Sequence, residues 1–98
     1  MENQHRKISG YRELSQEEID LINEIKALGP QIETVIKKVQ EHHLNQRKKI
    51  SGMAGDQLMA EVDRLELATP ERFLALAKTG MQTGLMYLTR SVAQPTFF

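Results

Sequence analysis

Thr69-Pro-Glu-Arg-Phe-Leu-Ala-Leu-Ala-Lys-Thr-Gly-Met-Gln-Thr-Gly-Leu-Met-Tyr-Leu-Thr-Arg-Ser-Val-Ala-Gln-Pro95 carries its own start and stop signals. Thr69 is a good N-cap, Pro70 suits the first helical position, and Pro95 closes the far end. The stretch reads as one helix over residues 70–93, about six turns at 3.6 residues per turn. Leu74, Ala77, Met81, Leu85, Leu88 and Val92 recur at steps of three and four, a stripe expected to face the core. Gly80 and Gly84 lie one turn apart beside it, and each costs roughly 1 kcal/mol relative to alanine unless close packing offsets the loss. A close approach to this backbone is therefore expected. The remaining face carries Arg72, Lys78, Thr79, Thr83 and Arg90, and no Asp or Glu occurs between Arg72 and Phe98. Bases and hydroxyls without acids suit an anion.

Upstream, Asp56 begins a second helical segment, 56–68, with Leu58, Met59, Val62 and Leu65 inward and Glu61, Asp63, Arg64 and Glu66 outward. Residues 42–55, His-His-Leu-Asn-Gln-Arg-Lys-Lys-Ile-Ser-Gly-Met-Ala-Gly, have no sustained period and end in glycine, which predicts a loop. Adjacent His42 and His43 would point to different faces of a helix, and no third ligand has metal-motif spacing. Arg47-Lys48-Lys49 either contacts phosphate or is solvated.

Ser15-Gln-Glu-Glu18 is a capping box and predicts a helix start. Ile19, Ile22, Ile25, Leu28, Ile32, Val35, Ile36 and Val39 continue one stripe to residue 41, and its phase survives Gly29-Pro30. A loop would keep phase only by chance, so one long helix over 15–41, bent near Pro30, is expected although proline removes a backbone donor. Lys26, just before the bend, either points at a ligand or is a solvated lysine beside Glu24 or Glu33. Residues 1–14 form a polar arm expected to become fixed near Tyr11, whose ring either packs on the next helix or is presented to a partner. The tail 94–98 ends in two phenylalanines, which would be a liability if exposed.

The 98 residues make one small all-α domain, a helical hairpin with a short N-terminal arm and more apolar stripe than two helices can cover. Oligomerisation is the expected remedy. With no cysteine, disulfides and Cys-based metal or redox sites are excluded. Thirteen basic and thirteen acidic residues balance, which argues against a DNA coat or a polybasic membrane binder. No apolar run approaches the roughly 20 residues needed to span a bilayer, and the polar start is unlike a signal peptide, so a cytoplasmic protein is expected.

No nucleophile with a base, flanked carboxylate pair or Gly-rich phosphate loop is present, so an enzyme is not expected, nor a cofactor. What the residues do supply is a phosphate-recognition set: Lys26, Arg72, Lys78 and Arg90 as charges, Thr79, Thr83 and Ser91 as neutral donors, and Tyr11 as a stacking platform. The same features also describe a structural or regulatory helical oligomer that binds a protein partner.

Two blocks, Tyr11-Arg-Glu-Leu-Ser-Gln-Glu-Glu-Ile-Asp-Leu-Ile-Asn-Glu-Ile-Lys26 and Glu71 to Pro95, cover about two fifths to a half of the chain. They resemble the bacteriophage anti-CBASS proteins of the second type, small helical sponges that sequester the cyclic oligonucleotide signals of bacterial CBASS immunity without cleaving them. The resemblance implies an interlocked homohexamer acting in the host bacterial cytoplasm. It would hold cyclic dinucleotides such as cyclic GMP-AMP between paired protomers and, in some members, cyclic trinucleotides where three protomers meet. By the same resemblance Tyr11 stacks on a base and Lys26 meets the phosphodiester ring. Residues from Arg90 to Thr96, with Ser91 among them, close the pocket from a second chain, and Arg72 serves a three-chain site. Arg12, beside the stacking tyrosine, either adds to phosphate binding or is solvated. Pro30 and the segment 42–55 lie outside the two blocks.

Overall fold

A computed structural model describes residues 12–97 and contains three helices, α1 (Gln16–Ser51), α2 (Gly55–Ala68) and α3 (Pro70–Ala93). No strand occurs among the described residues, and the chain is an all-α helical hairpin.

At the start of α1 the capping box is formed. The Glu18 amide donates to Ser15 Oγ at 3.2 Å, and the Ser15 amide donates to Glu18 Oε1 at 2.8 Å. Two orphan donors of the first turn are thereby satisfied reciprocally. The helix then passes through Gly29-Pro30 without a break.

The loop expected over residues 42–55 is not there. Residues 42–51 continue α1, and only 52–54 connect it to α2. The reason lies in what faces inward. His43, Gln46 and Ile50 are the half-buried positions of this stretch, at helical spacing but with two polar members, so a search for apolar periodicity misses them. Lys48 and Lys49 occupy the last turn, where positive charge complements the helix dipole. Ser51 Oγ donates to the Lys48 carbonyl at 2.6 Å, and the Gly52 amide donates to the Lys49 carbonyl at 3.1 Å. Gly55, at φ 61°, opens α2 in the left-handed region, which glycine adopts without penalty.

Thr69 is the single residue between α2 and α3, and its geometry differs from a conventional N-cap. It sits at φ 43°, ψ 59° as the left-handed C-cap of α2, its amide donating to the Leu65 carbonyl at 2.9 Å. Its own carbonyl accepts from Phe73 at 3.3 Å as α3 begins. One β-branched residue thus ends one helix and starts the next in a strained conformation.

The described chain falls into two compact units that share α1 and α3. The first comprises residues 12–31 and 81–97, and the second comprises residues 32–80. In the first unit Ile25 is 8% exposed and is the one buried side chain among the described residues. The expected core stripe of α3 is divided. Leu74, Leu85 and Val92 are half-buried, whereas Ala77, Met81 and Leu88 are exposed. In α2, Met59 is exposed instead of inward. A Cβ placed on Gly80 or Gly84 would meet nothing within 4 Å, so the close approach that these glycines permit is not made among the described residues. A helix with one neighbour can cover only part of a wide apolar stripe.

Candidate functional site

The first unit holds an open groove of about 510 Å³ lined by Ile25, Lys26, Leu85, Met86, Thr89, Arg90, Ala93 and Pro95. Its size lies within the range of small-molecule sites, and so does its chemistry, an apolar floor with few polar groups. α1 supplies Lys26, one residue after buried Ile25. α3 supplies Thr89 and Arg90, and the turn beyond it supplies Pro95. Lys26 is exposed and makes no hydrogen bond or ion pair with a described residue, so its ammonium is available. Arg90 donates through one terminal nitrogen to the Phe97 carbonyl at 2.9 Å, which folds the tail back on its own helix and leaves its other donors. Thr89 Oγ1 donates to the Leu85 carbonyl at 2.9 Å. The sequence expectation did not include Thr89, since its lining role follows from the turn it shares with Leu85 and Ala93.

Arg12 lies in the same unit. Its Nε donates to the Ala93 carbonyl at 3.0 Å and one terminal nitrogen to the Val92 carbonyl at 2.9 Å. Both terminal nitrogens also reach Glu18, one at 3.1 Å to Oε1 and the other in a close ion pair with Oε2. The Arg12 hydrogen bond, followed by those from Ser15, holds the Glu18 carboxyl down at about 2, and the same carboxylate raises Arg12 above its ordinary value.

The remaining candidates are distributed. Ser91 Oγ donates to the Leu88 carbonyl at 2.6 Å, Thr83 is half-buried, and Thr96 is exposed in the turn after α3. Tyr11 falls outside the described residues. Arg72, Lys78 and Thr79 belong to the second unit. There Arg72 lies 5.4 Å from the centroid of the Phe73 ring. Lys78 borders a groove of about 530 Å³ with Gln40, His43, Arg47 and Glu71. Arg47, in place of a loop contact, forms an ion pair with Glu71, joining α1 to α3. His43 Nδ1 is buried without a hydrogen-bond partner among the described residues. In α2 Arg64 pairs with Glu61 one turn away, lowering the carboxyl and raising the guanidinium.

Residues 6–93 match the family described as Acb2/Tad1, hairpin domain. The chain belongs to that family. It is also 38% identical over 105 aligned residues to Anti-CBASS protein 2 of Pseudomonas phage JBD67, and the alignment covers 97% of each protein. As an Acb2/Tad1 hairpin domain, the chain has all three helices inside the matched span, with Lys26 and Arg90 among them and Pro95 and Thr96 just beyond. The resemblance drawn from the Tyr11–Lys26 and Glu71–Pro95 blocks thus leads to the same family. Among the described residues, no helix is long and apolar enough to cross a membrane.

Proposed function

We propose that this protein suppresses CBASS signalling in the host bacterial cytoplasm by binding and sequestering cyclic dinucleotides, cyclic GMP-AMP among them, without cleaving them. The observation that carries the reading is the convergence of Lys26 and Arg90 on one apolar-floored groove. Two cations beside an apolar surface match a ligand with charged phosphodiesters and flat bases. The name of the phage relative, Anti-CBASS protein 2, supports the pathway.

In this reading Lys26 contacts the phosphodiester ring and Tyr11 stacks on a base. Arg90 lines the same groove as Lys26 in its own chain, Ser91 and Thr96 of another copy close the site, and the assembly is a homohexamer. Self-assembly is supported by the exposed apolar side chains, Leu67 at 88%, Met86 at 70% and Tyr87 at 69% among them. Arg72, at the start of α3, is assigned to a cyclic trinucleotide site made by three copies, where an anion would offset the repulsion of like charges. Lys78, Thr79 and Thr83 do not line the groove of the first unit and carry no contact in this reading.

Calorimetric titration with cyclic GMP-AMP tests the proposal. Saturable heat is expected, followed by recovery of the intact ligand after proteinase digestion. No heat from an intact assembly would reject it, and recovery of a linear product would indicate a phosphodiesterase. The exposed apolar side chains also favour a second reading, a helical oligomer that binds protein. It predicts that Lys26→Ala leaves every activity in place.

A further inference from the structure

Arg12 has the charge of a phosphate ligand but not the freedom of one. A guanidinium carries five N–H donors. Four hydrogen bonds leave Arg12, to the carbonyls of Val92 and Ala93 and to both carboxylate oxygens of Glu18. A bidentate grip on a phosphate needs two donors side by side. Arg12 could supply them only by abandoning partners it already has.

Those partners are specific in what they join. Val92 and Ala93 end α3, where carbonyls have no intrahelical donor, and Glu18 lies in the first turn of α1, where it also completes the capping box. Cation at a helix C-terminus and anion at a helix N-terminus are each the favoured sign. One Arg–Glu pair therefore fastens the chain at residue 12 to the last turn of α3, spanning 81 positions in sequence. Ala93 is at once an anchor of this latch and a wall of the groove that holds Lys26 and Arg90.

We propose that Arg12 is a positioning residue: anchored by Glu18, it fixes the last turn of α3, whose Ala93 walls the groove, and so pre-orders the cyclic dinucleotide site without touching the ligand. Resting on the sponge reading given above, this inference adds a residue pair, Arg12 and Glu18, whose second member is an anion with no attraction for a phosphodiester. That sign makes the two roles separable. A phosphate-binding Arg12 would be released by loss of Glu18 and bind as well or better. A positioning Arg12 would lose its anchor and bind worse.

The experiment compares wild type, R12A, E18Q and the double variant R12A/E18Q by calorimetry with cyclic GMP-AMP, with assembly mass and amide hydrogen exchange measured on each. Gln at position 18 keeps a capping box, so E18Q retains the helix start while losing the ion pair. R12A is expected to weaken binding about tenfold, the scale set by the ordering of one or two residues. E18Q should weaken it in the same direction by about threefold or more, since apparent affinity falls with the fraction of competent sites. The double variant should be no weaker than R12A, because both changes open one latch. Mass should stay constant while exchange rises at residues 12–15 in all three. Unchanged or tighter binding by E18Q, beside a loss in R12A, would overturn the positioning role in favour of direct phosphate contact. Wild-type affinity in R12A would overturn any role for it. Absence of heat from the wild type itself would instead reject the sponge reading, and the positioning role with it.

Discussion

The two units of this protein use the same two long helices for different purposes. In residues 12–31 and 81–97 Arg12 and Glu18 form a closed latch, and two cations, Lys26 and Arg90, line a groove. In residues 32–80 the ion pairs are Arg47 with Glu71, Arg64 with Glu61 and Lys37 with Glu33, while Val35, Leu44, Met59, Leu67, Phe73 and Leu76 are all more than half exposed. The first unit contains the one buried side chain among the described residues, and the second contains none. A region with available cations beside an apolar floor is equipped for a small anion. A region with uncovered apolar surface beside its ion pairs is equipped for contact with protein.

The largest test of that contrast is Ile25→Ala. It removes the buried anchor of the first unit and should cost about 2–4 kcal/mol, as for other buried isoleucines. Leu67→Ala in the second unit, at 88% exposure, should leave the unfolding midpoint within error in a dissociated chain. Urea denaturation reads both, and equal losses would erase the distinction between the units.

Next is Lys26→Ala. It should weaken cyclic dinucleotide binding at least about tenfold, the scale of a charged hydrogen bond, without changing the assembly mass. Arg72→Ala, in the second unit, should leave that affinity unaltered and lower only the uptake of cyclic trinucleotides. Calorimetry with both ligand classes separates the two outcomes, and equal loss of dinucleotide binding would merge the sites.

A smaller effect is expected at the junction inside the second unit. Thr69 holds φ 43°, a region that costs a non-glycine residue about 1–2 kcal/mol. Thr69→Gly relieves that strain, partly offset by greater freedom in the unfolded chain, and should stabilise by about 0.5–1 kcal/mol in thermal unfolding.

The finest test is pH. Glu18 is held at about 2, below the ordinary 4.5, chiefly by the Arg12 hydrogen bond, so its folded carboxyl binds a proton less readily than its unfolded one. The stability it contributes is fully present above about pH 4.5 and disappears as pH falls toward 2. Wild type and E18Q should differ by a constant amount from pH 6 to 8 and converge below 4.5. Glu61 is lowered by Arg64 in the same sense, but that pair lies within one helix turn, so E61Q should show the smaller difference.

The helices themselves were legible without coordinates. Ser15 and Glu18 stand at capping-box spacing, the α1 stripe keeps its phase through Pro30, and Pro70 and Pro95 bracket α3. These are relations between neighbours in sequence, and a local rule suffices. The last turns of α1 escaped because His43 and Gln46 take inward positions that apolar residues usually fill. The left-handed Thr69 escaped because its conformation is imposed by joining two helices through one residue, not by its own preference.

By itself, then, the sequence determined an all-α hairpin, the residues able to meet an anion, and the family through two extended blocks. Only the tertiary structure decided which of those residues stand together. Lys26 and Arg90 are 64 positions apart and line one groove, while Arg12 donates to the carbonyls of Val92 and Ala93 at the far end of the chain. Helical periodicity fixes the face on which a side chain emerges. Which other face it meets depends on how far α1 and α3 run before they pack, and that is settled by burial of Ile25 and by hydrogen bonds between distant helix ends.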